Sequence, residues 1–535
     1  MLPKLDLQDY SGLWDVIIIG AGLGGGVTAR ALADSGYDVL LIERGHEELS
    51  SLRVHSDTDH SDHLLAQGKW PTVSAFEVDG VLKRWLGPFG SGIGGSTNLY
   101  AAALERFERH DMDTLPDLPH PTDGWPISYQ GFLPYYEQAE RMMHVAGTAD
   151  PLNADDVRHL REPPPLGPPE TDFFDFFEKR GMHPYRLHVG IRYRPGCDEC
   201  IGRQCQKDCK ADVRSVLAGG RKQPTILART EVLRLESSPD CVTGAVLLQG
   251  EDQITVQAKV FILAAGAIHT PKLLLDSRSE HWPDGLANRS GLVGRNLMFH
   301  AMQRLAIWPS RRLAGSGPRK SIGFRDLYRV NGERFGSVQS TGFEVEYGDL
   351  LVHFYRVFDH SAFRRLRIIR PLLRIPAALA VLLFGCGTLF SCLIEDLPYP
   401  DNRVLIDENE ADRVRIVYTI KDELRDRVTR FRNLLTERLG KSRMFFLSHD
   451  VELNFGHPCG TCVMGHDPAT SVVDRDCHAH GLANLFIADA SFMPTSGATN
   501  PALTIAANAL RVSDAIHRAL EEGAVRTQVL DELPT

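Results

Sequence analysis

The apolar, β-branched run Val16 to Ile19 leads straight into Gly20-Ala-Gly22-Leu-Gly24-Gly25-Gly26, a junction that few folds can accommodate. A continuous apolar run suits a parallel strand covered on both faces. Gly20, Gly22 and Gly25 fit G-x-G-x-x-G. Val27 to Ser35 then reads as a helix, and Val39 to Ile42 as a second apolar strand ending at Glu43. Strand, glycine turn, helix and terminal acid in this order make a dinucleotide fingerprint: the glycines let backbone N–H groups approach a pyrophosphate, and the acid holds a ribose hydroxyl. An α/β chain with a Rossmann-like nucleotide domain is expected, and the fingerprint leaves FAD or NAD open.

At 535 residues the chain is long enough for more than one domain and a large core. A formal charge of -10, with no sustained basic run outside one short segment, argues against nucleic acid and for small-molecule chemistry. The N-terminus lacks the basic region, apolar core and cleavage site of a signal peptide. Ten cysteines, four of them crowded between Cys197 and Cys209, do not suit a secreted disulfide framework. A reducing, cytoplasmic location is the expectation.

Asn484 to Arg518 reads as strand, site and helix in turn. Leu485 to Ala488 is a short apolar run, Pro494 to Thr499 is rich in turn residues, and helical periodicity starts at Pro501. Proline lacks an N–H and suits a helix start, so Asn500 lies at a positive dipole end, where negative charge developing in a reaction is stabilised. A second stretch, His457 to Gly465, reads HPCGTCVMG. Together the two stretches resemble the C-terminal signature of the glucose-methanol-choline (GMC) family of flavin alcohol oxidoreductases. The resemblance implies FAD, and a catalytic pair made of the first His of HxxGTxxMG and an Asn or His just before a Pro. Here these are His457 and Asn500.

Trp85 to Phe107 resembles the GMC segment that runs beside the flavin ring, nearest the gluconate dehydrogenase and pyranose oxidase-like branch. Several enzymes of that branch bond a His of this loop covalently to the flavin. Aligning on Gly94-Gly95 puts Leu99 at that position, and Tyr100 where other branches carry Asn, so FAD is expected without a covalent link there. Thr230 to Leu235 resembles the strand whose backbone, at Val232, touches the adenine. Val260 to Leu275 is similar to the second family signature, with Ala264-Ala265-Gly266 ending a buried strand and a helix after Pro271; Gly294 to His300 is also family-like. By this resemblance the cofactor is held by Gly20, Gly22, Gly24, Gly25, Glu43, Arg44, Gly95, Ser96, Leu99, Tyr100, Ala101, Val232, Ala265, Gly266, Asp489, Ala490 and Pro501.

Cys197, Cys200, Cys205 and Cys209 place four thiols within thirteen residues, close enough to surround one metal centre. The last three keep the spacing of dehydrogenase-type GMC subunits that carry an iron–sulfur cluster, whereas Cys197 departs from it. An iron–sulfur cluster is the leading metal reading and zinc the second; disulfides or buried thiols without metal are the other alternative. Further on, residues 301 to 390 carry no motif, but they hold Arg364, Arg365, Arg367, Arg370 and Arg374, followed by twenty uncharged residues, Ile375 to Ile394. Leu389 to Ile394 resembles the start of a GMC substrate-domain strand. The remaining fourteen are too few to span a bilayer, and they suit a lid or buried helix, with peripheral membrane contact through the arginine flank as an alternative.

Alcohol oxidation needs a base for the hydroxyl proton, and imidazole titrates in the suitable range. The expected chemistry is proton abstraction by His457, hydride transfer from the carbinol carbon to flavin N5, and a hydrogen bond from Asn500 to the substrate oxygen. A dehydrogenase that passes electrons to a cytochrome or quinone is favoured over an oxygen-reducing alcohol or sugar oxidase. A flavin lyase or isomerase, or an electron-transfer subunit, are the other readings on this scaffold. The expected architecture is a Rossmann-like FAD-binding domain from residues 1–50, 80–125, 190–300 and 450–535. A discontinuous α+β substrate domain, an antiparallel sheet plus helices, would come from 51–79, 126–189 and 301–449.

Overall fold

The computed structural model describes residues 7–47, 60–153, 155–308, 317–360, 365, 367–384 and 387–523; Arg364 lies outside them. The glycine junction sits where expected, between the buried strand Leu13–Ile19 and the helix Leu23–Asp34. Leu13–Ile19 pairs in parallel with Val39–Ile42 on one side and, from Leu13↔Gln257 to Ile19↔Leu263, with Asp252–Leu263 on the other. Thr225–Leu227 extends the sheet beyond Val39–Ile42, and Leu485–Ile487 adds a parallel strand beside Phe261–Leu263. Val16–Ile19, Val39–Ile42 and Leu485–Ile487 are buried throughout, as continuous apolar runs in a sheet covered on both faces must be. The first half of Asp252–Leu263 leaves this sheet and pairs antiparallel with Val242–Gln249, which in turn pairs with Glu231–Ser237.

Two helix boundaries differ from the sequence reading. The helix after the second signature spans Gly266–Asp276, with Pro271 inside it rather than ahead of it. An internal proline leaves the carbonyl four residues earlier without a donor. That carbonyl, Ala267 O, accepts from Thr461 Oγ1 at 2.7 Å, so the threonine of HPCGTCVMG makes the proline tolerable. The C-terminal helix spans Ala502–Glu521, with Pro501 as its N-cap and no side-chain capping bond.

A second, antiparallel sheet follows the order Met444–Phe446, Met298–Ile307, Gly387–Ile394, Gly336–Val345, Ile322–Phe324, Tyr185–Arg186, with Glu452–Cys459 also paired to Met298–Ile307. Strand alternation gives it two distinct faces. Phe390, Cys392 and Ile394 join Ala301, Leu305 and Val338 in a core covered by the helices Pro168–Glu178 and Asp422–Leu439. The intervening Leu389, Ser391, Leu393, Met302, Arg304 and Gln339 face the opposite way and line a cavity. The fold is thus a Rossmann-like α/β unit joined to an antiparallel sheet plus helices.

The uncharged run divides as expected into a helix, Arg374–Phe384, and a strand, Gly387–Ile394. No helix among the described residues is long and apolar enough to cross a membrane. The helix packs through Ala377 onto Leu350 and Trp308, and none of its described side chains lines the cavity.

Candidate active site

A cavity of about 1390 Å³ lies between the carboxyl ends of the parallel strands and the open face of the antiparallel sheet. Ligands of open α/β sheets bind at such strand ends. The cavity brings together His457, Asn500 and every expected cofactor-binding residue except Gly25.

The glycine cradle has a steric basis. A Cβ on Gly24 would stand 1.8 Å from Ala488 O, and one on Gly20, whose φ is +102°, 2.5 Å from Ala264 O. Gly25 acts behind the cavity wall: a Cβ there would meet Gly20 O at 1.9 Å, so its role is to let helix and turn close together. Gly22 caps Leu23–Asp34 without any side-chain bond, which leaves the first N–H groups of the helix directed at the cavity as an anion site. The Glu43 carboxylate accepts from the backbone N–H groups of Gly45 (2.8 Å), Ala21 (3.0 Å) and Gly92 (3.1 Å), tying the glycine turn to the loop that runs into Gly95 and Ser96. A carboxylate has about four acceptor positions, so one is left for a ribose hydroxyl. Narrow cradle, uncapped helix start and strand-end acid fit a dinucleotide.

Farther along the cavity the Arg44 guanidinium lies 3.4 Å over the Trp70 ring and approaches His269 Nε2 at 3.2 Å. Burial and then Arg44 hold His269 well below its ordinary 6.5, so it stays a neutral acceptor. Val232 lines this end, Asp489 anchors the N–H of Gly266 at 2.8 Å, and Ala265 donates to Thr270 Oγ1. Ala490, Pro501, Leu99, Tyr100 and Ala101 line the same cavity, and the Tyr100 hydroxyl is bonded to Ala211 O.

His457 projects from the strand Glu452–Cys459. Its Nδ1 meets His300 Nδ1 at 3.1 Å and Asn454 Nδ2 at 3.2 Å, so Nε2 is the nitrogen left to the cavity. Burial, then the neighbouring His300 and Lys320, hold the imidazole well below 6.5, and it is neutral at pH 7. With its own proton on Nδ1, donated to His300 Nδ1, the neutral ring can accept a proton at Nε2; Asn454 Nδ2, itself a donor, then makes no bond to Nδ1. Asn500 Oδ1 accepts from Gln339 Nε2 at 2.8 Å, and Gln339 Oε1 accepts from Lys320 Nζ at 3.3 Å. An ammonium can only donate, so the chain of bonds has one sense: the Asn500 oxygen is turned to Gln339, and its NH2 is presented to the cavity.

The metal centre expected at Cys197, Cys200, Cys205 and Cys209 is a correction. The four sulfurs cluster, but among the described residues no group of three or more His, Cys, Asp or Glu is arranged to hold a metal ion. The loop meets its own polar needs instead. Cys200 donates to Asp198 at 3.1 Å, Cys205 accepts from the Cys209 N–H at 3.3 Å, and Cys209 donates to Lys207 O at 3.6 Å. Burial pushes the Cys200 thiol up to about 12 and the Cys209 thiol up to about 11. Lys210 holds the loop through four carbonyls: Asn98, Tyr100, Cys200 and Arg203. The tip, Ile201 and Gly202, reaches the cavity wall, so the segment shapes the cavity without supplying a metal site.

Residues 398–509 match the family description GMC oxidoreductase, and residues 18–69 match a NAD(P)-binding Rossmann-like domain. The chain is 31% identical to 6'''-hydroxyparomomycin C oxidase of Streptomyces lividus, over 96% of this chain and 93% of that one. The chain belongs to the GMC oxidoreductase family. It is an FAD-dependent oxidoreductase acting on CH–OH donors. Other relatives are paromamine 6'-oxidase of Streptomyces fradiae (30% identical, 96% and 92% covered) and the fructose dehydrogenase large subunit of Gluconobacter japonicus (26%, 95% and 98%). Pyridoxine 4-oxidase from Mesorbium loti shares the fold, with a TM-score of 0.63 at 20% identity, covering 94% of this chain and 99% of that one.

In this GMC oxidoreductase the residues that sequence reasoning missed are Gln339, Lys320 and, as a partner of His457, His300. His300 was visible only as the last residue of GRNLMFH. The only signal for Gln339 is the polar stretch Ser337-Val-Gln339-Ser340-Thr341 in an otherwise motif-free region; nothing in it says that Gln339 meets Asn500. Burial lowers Lys320 to about 8, the cost of placing a cation in the wall. Gln339→Leu is expected to retain FAD and to slow flavin reduction by about tenfold, the effect of one hydrogen bond of roughly 1.4 kcal/mol. Stopped-flow reduction measures this, and an unchanged rate would remove Gln339 from the site.

Proposed function

We propose that this chain oxidises a sugar-like alcohol, with His457 as proton acceptor and Asn500 as donor to the substrate oxygen, and passes the electrons to a quinone or cytochrome. The observation that carries the reading is the convergence of His457 Nε2 and the amide of Asn500, its oxygen turned to Gln339, on the cavity that also holds the glycine cradle. FAD is held without a covalent link at Leu99, by the FAD-binding stretches 1–50, 80–125, 190–300 and 450–535, with the intervening chain forming the substrate side. Bound FAD supplies a hydride acceptor at its N5 atom. His457 Nε2 takes the hydroxyl proton, and the Asn500 NH2 donates to the substrate oxygen as that oxygen gains negative charge. The uncapped start of Ala502–Glu521 adds a favourable dipole at the same wall.

Glu346 and Asp349 line the cavity beside Glu344, which is paired with Arg319 at 4.0 Å, and favour a substrate that carries an ammonium group, such as an amino sugar. This agrees with the names of the two Streptomyces relatives. Those names also favour a second reading, transfer to oxygen, whereas the exposed Ile375, Leu379 and Leu382 of the helix Arg374–Phe384 favour a membrane-borne acceptor. Amino sugars and neutral polyols added anaerobically are expected to bleach the flavin, and a soluble quinone to restore its colour faster than oxygen does. Rapid recovery in air with peroxide release would establish the oxidase reading. Failure of every alcohol to bleach the flavin would sink the proposed reaction.

A further inference from the structure

Among the described residues, nine of the fifteen large hydrophobic side chains that are exposed fall between Phe343 and Leu382. Phe343 is on the strand Gly336–Val345; the other eight lie on the helix Tyr347–His360, the turn Arg367–Leu373 and the helix Arg374–Phe384, which pack together as a hairpin. Ile368 is 85% exposed, Ile375 66%, Leu372 56% and Leu379 49%. A surface helix ordinarily buries its bulky aliphatic residues and turns small or polar ones to water. Arg374–Phe384 does the reverse: Ala377 is buried against Leu350 and Trp308, while Ile375, Leu379 and Leu382, at helical spacing, face outward. Contiguous apolar exposure on this scale marks a binding face.

The charge around this face is one-sided. From His360 to Ile394 the sequence holds five arginines and no acid, in a chain whose formal charge is -10. Arg365 and Arg374 are exposed, and Arg370 is paired with Asp359 at 3.0 Å. The acids Glu344, Glu346 and Asp349 stand at the other end of Tyr347–His360, a helix of 14 residues. That length corresponds to about 21 Å, more than twice the screening length at physiological salt. Protein-binding hot spots are built from Trp, Tyr and Arg. Here the outward residues of the turn and second helix are isoleucine and leucine with arginines between them, the composition of a segment that lies in a lipid interface.

We propose that this hairpin is a monotopic docking surface for an anionic lipid bilayer, with Ile368, Leu372, Ile375 and Leu379 entering the headgroup boundary and Arg365 and Arg374 engaging lipid phosphates. The base of the same hairpin carries the cavity rim, so docking holds the entrance near the membrane surface. The proposal concerns binding and does not depend on the reaction described above.

The test is co-sedimentation of the full-length holoprotein with phosphatidylcholine vesicles, with and without phosphatidylglycerol. Binding is expected only with phosphatidylglycerol and should weaken as salt rises. Ile368→Glu combined with Leu379→Glu should lower the partition coefficient at least tenfold, and Arg365→Gln or Arg374→Gln about fivefold each, with melting temperature and flavin spectrum unchanged. Absence of binding to phosphatidylglycerol vesicles would overturn the proposal, as would equal binding by all variants. A wild-type dimer in solution that Ile368→Glu with Leu379→Glu dissolves, without any vesicle binding, would assign the face to a second copy instead.

Discussion

His457→Ala is expected to slow alcohol-driven flavin reduction by about 10²–10⁴-fold, the usual contribution of a positioned proton acceptor, while FAD content stays the same. The ring projects from the strand Glu452–Cys459 and takes no part in the glycine cradle, so loss of the side chain should leave cofactor binding intact. The pH profile adds an independent check. A base works only when unprotonated, and His457 is held well below 6.5, first by burial and then by His300 and Lys320. In wild type, kcat/KM should therefore be flat from pH 6.5 to about 7.5, fall below that range as the depressed pKa of His457 is passed, and fall again as Lys320, lowered to about 8, loses the proton that orients Gln339 and Asn500. Lys320→Met removes one cation from the neighbourhood and should move that acid limb upward. A wild-type acid limb at or above pH 6.5, or reduction by His457→Ala at the wild-type rate, would show that another group takes the proton.

Gly24→Ala is expected to abolish FAD retention and to destabilise the protein by about 3 kcal/mol, although it adds one methyl group. The added carbon would lie 1.8 Å from Ala488 O, a backbone atom at the end of the strand that delivers Asp489 and Ala490, so neither partner can swing aside. Gly12→Ala is the control: nothing lies within 4 Å of its Cβ, and its effect should stay within about 0.5 kcal/mol. Thermal unfolding together with the flavin-to-protein absorbance ratio reports both quantities. Retention of FAD by Gly24→Ala at wild-type stability would mean that the cradle is looser than its geometry implies.

The nucleotide-binding half is largely legible in the order of its residues, because its information is local. Strand, turn and helix at Val16 to Ser35 are consecutive, and a position that excludes a Cβ can be read from the glycine itself. Local reading fails where a neighbour from elsewhere changes the rule. Pro271 resembles a helix start because a proline inside a helix leaves a carbonyl unpaired, and only Thr461, distant in sequence, supplies the missing donor. The four cysteines resemble ligands because spacing reports proximity. It does not report that Asp198, Lys207 and a backbone N–H already satisfy the sulfurs of Cys200, Cys209 and Cys205.

The sequence by itself determined the Rossmann-like fold and the glycine turn from Gly20 to Glu43, since these depend on backbone constraints carried by adjacent residues; His457 and Asn500, expected together from the family resemblance, line one cavity. Tertiary structure alone decided which way the Asn500 amide faces, which nitrogen of His457 is free, and that Arg374–Phe384 shows Ile375, Leu379 and Leu382 to the outside. Each of these is set by side chains meeting from strands and helices remote in sequence. Residue order defines which faces an element has; packing chooses what each face meets.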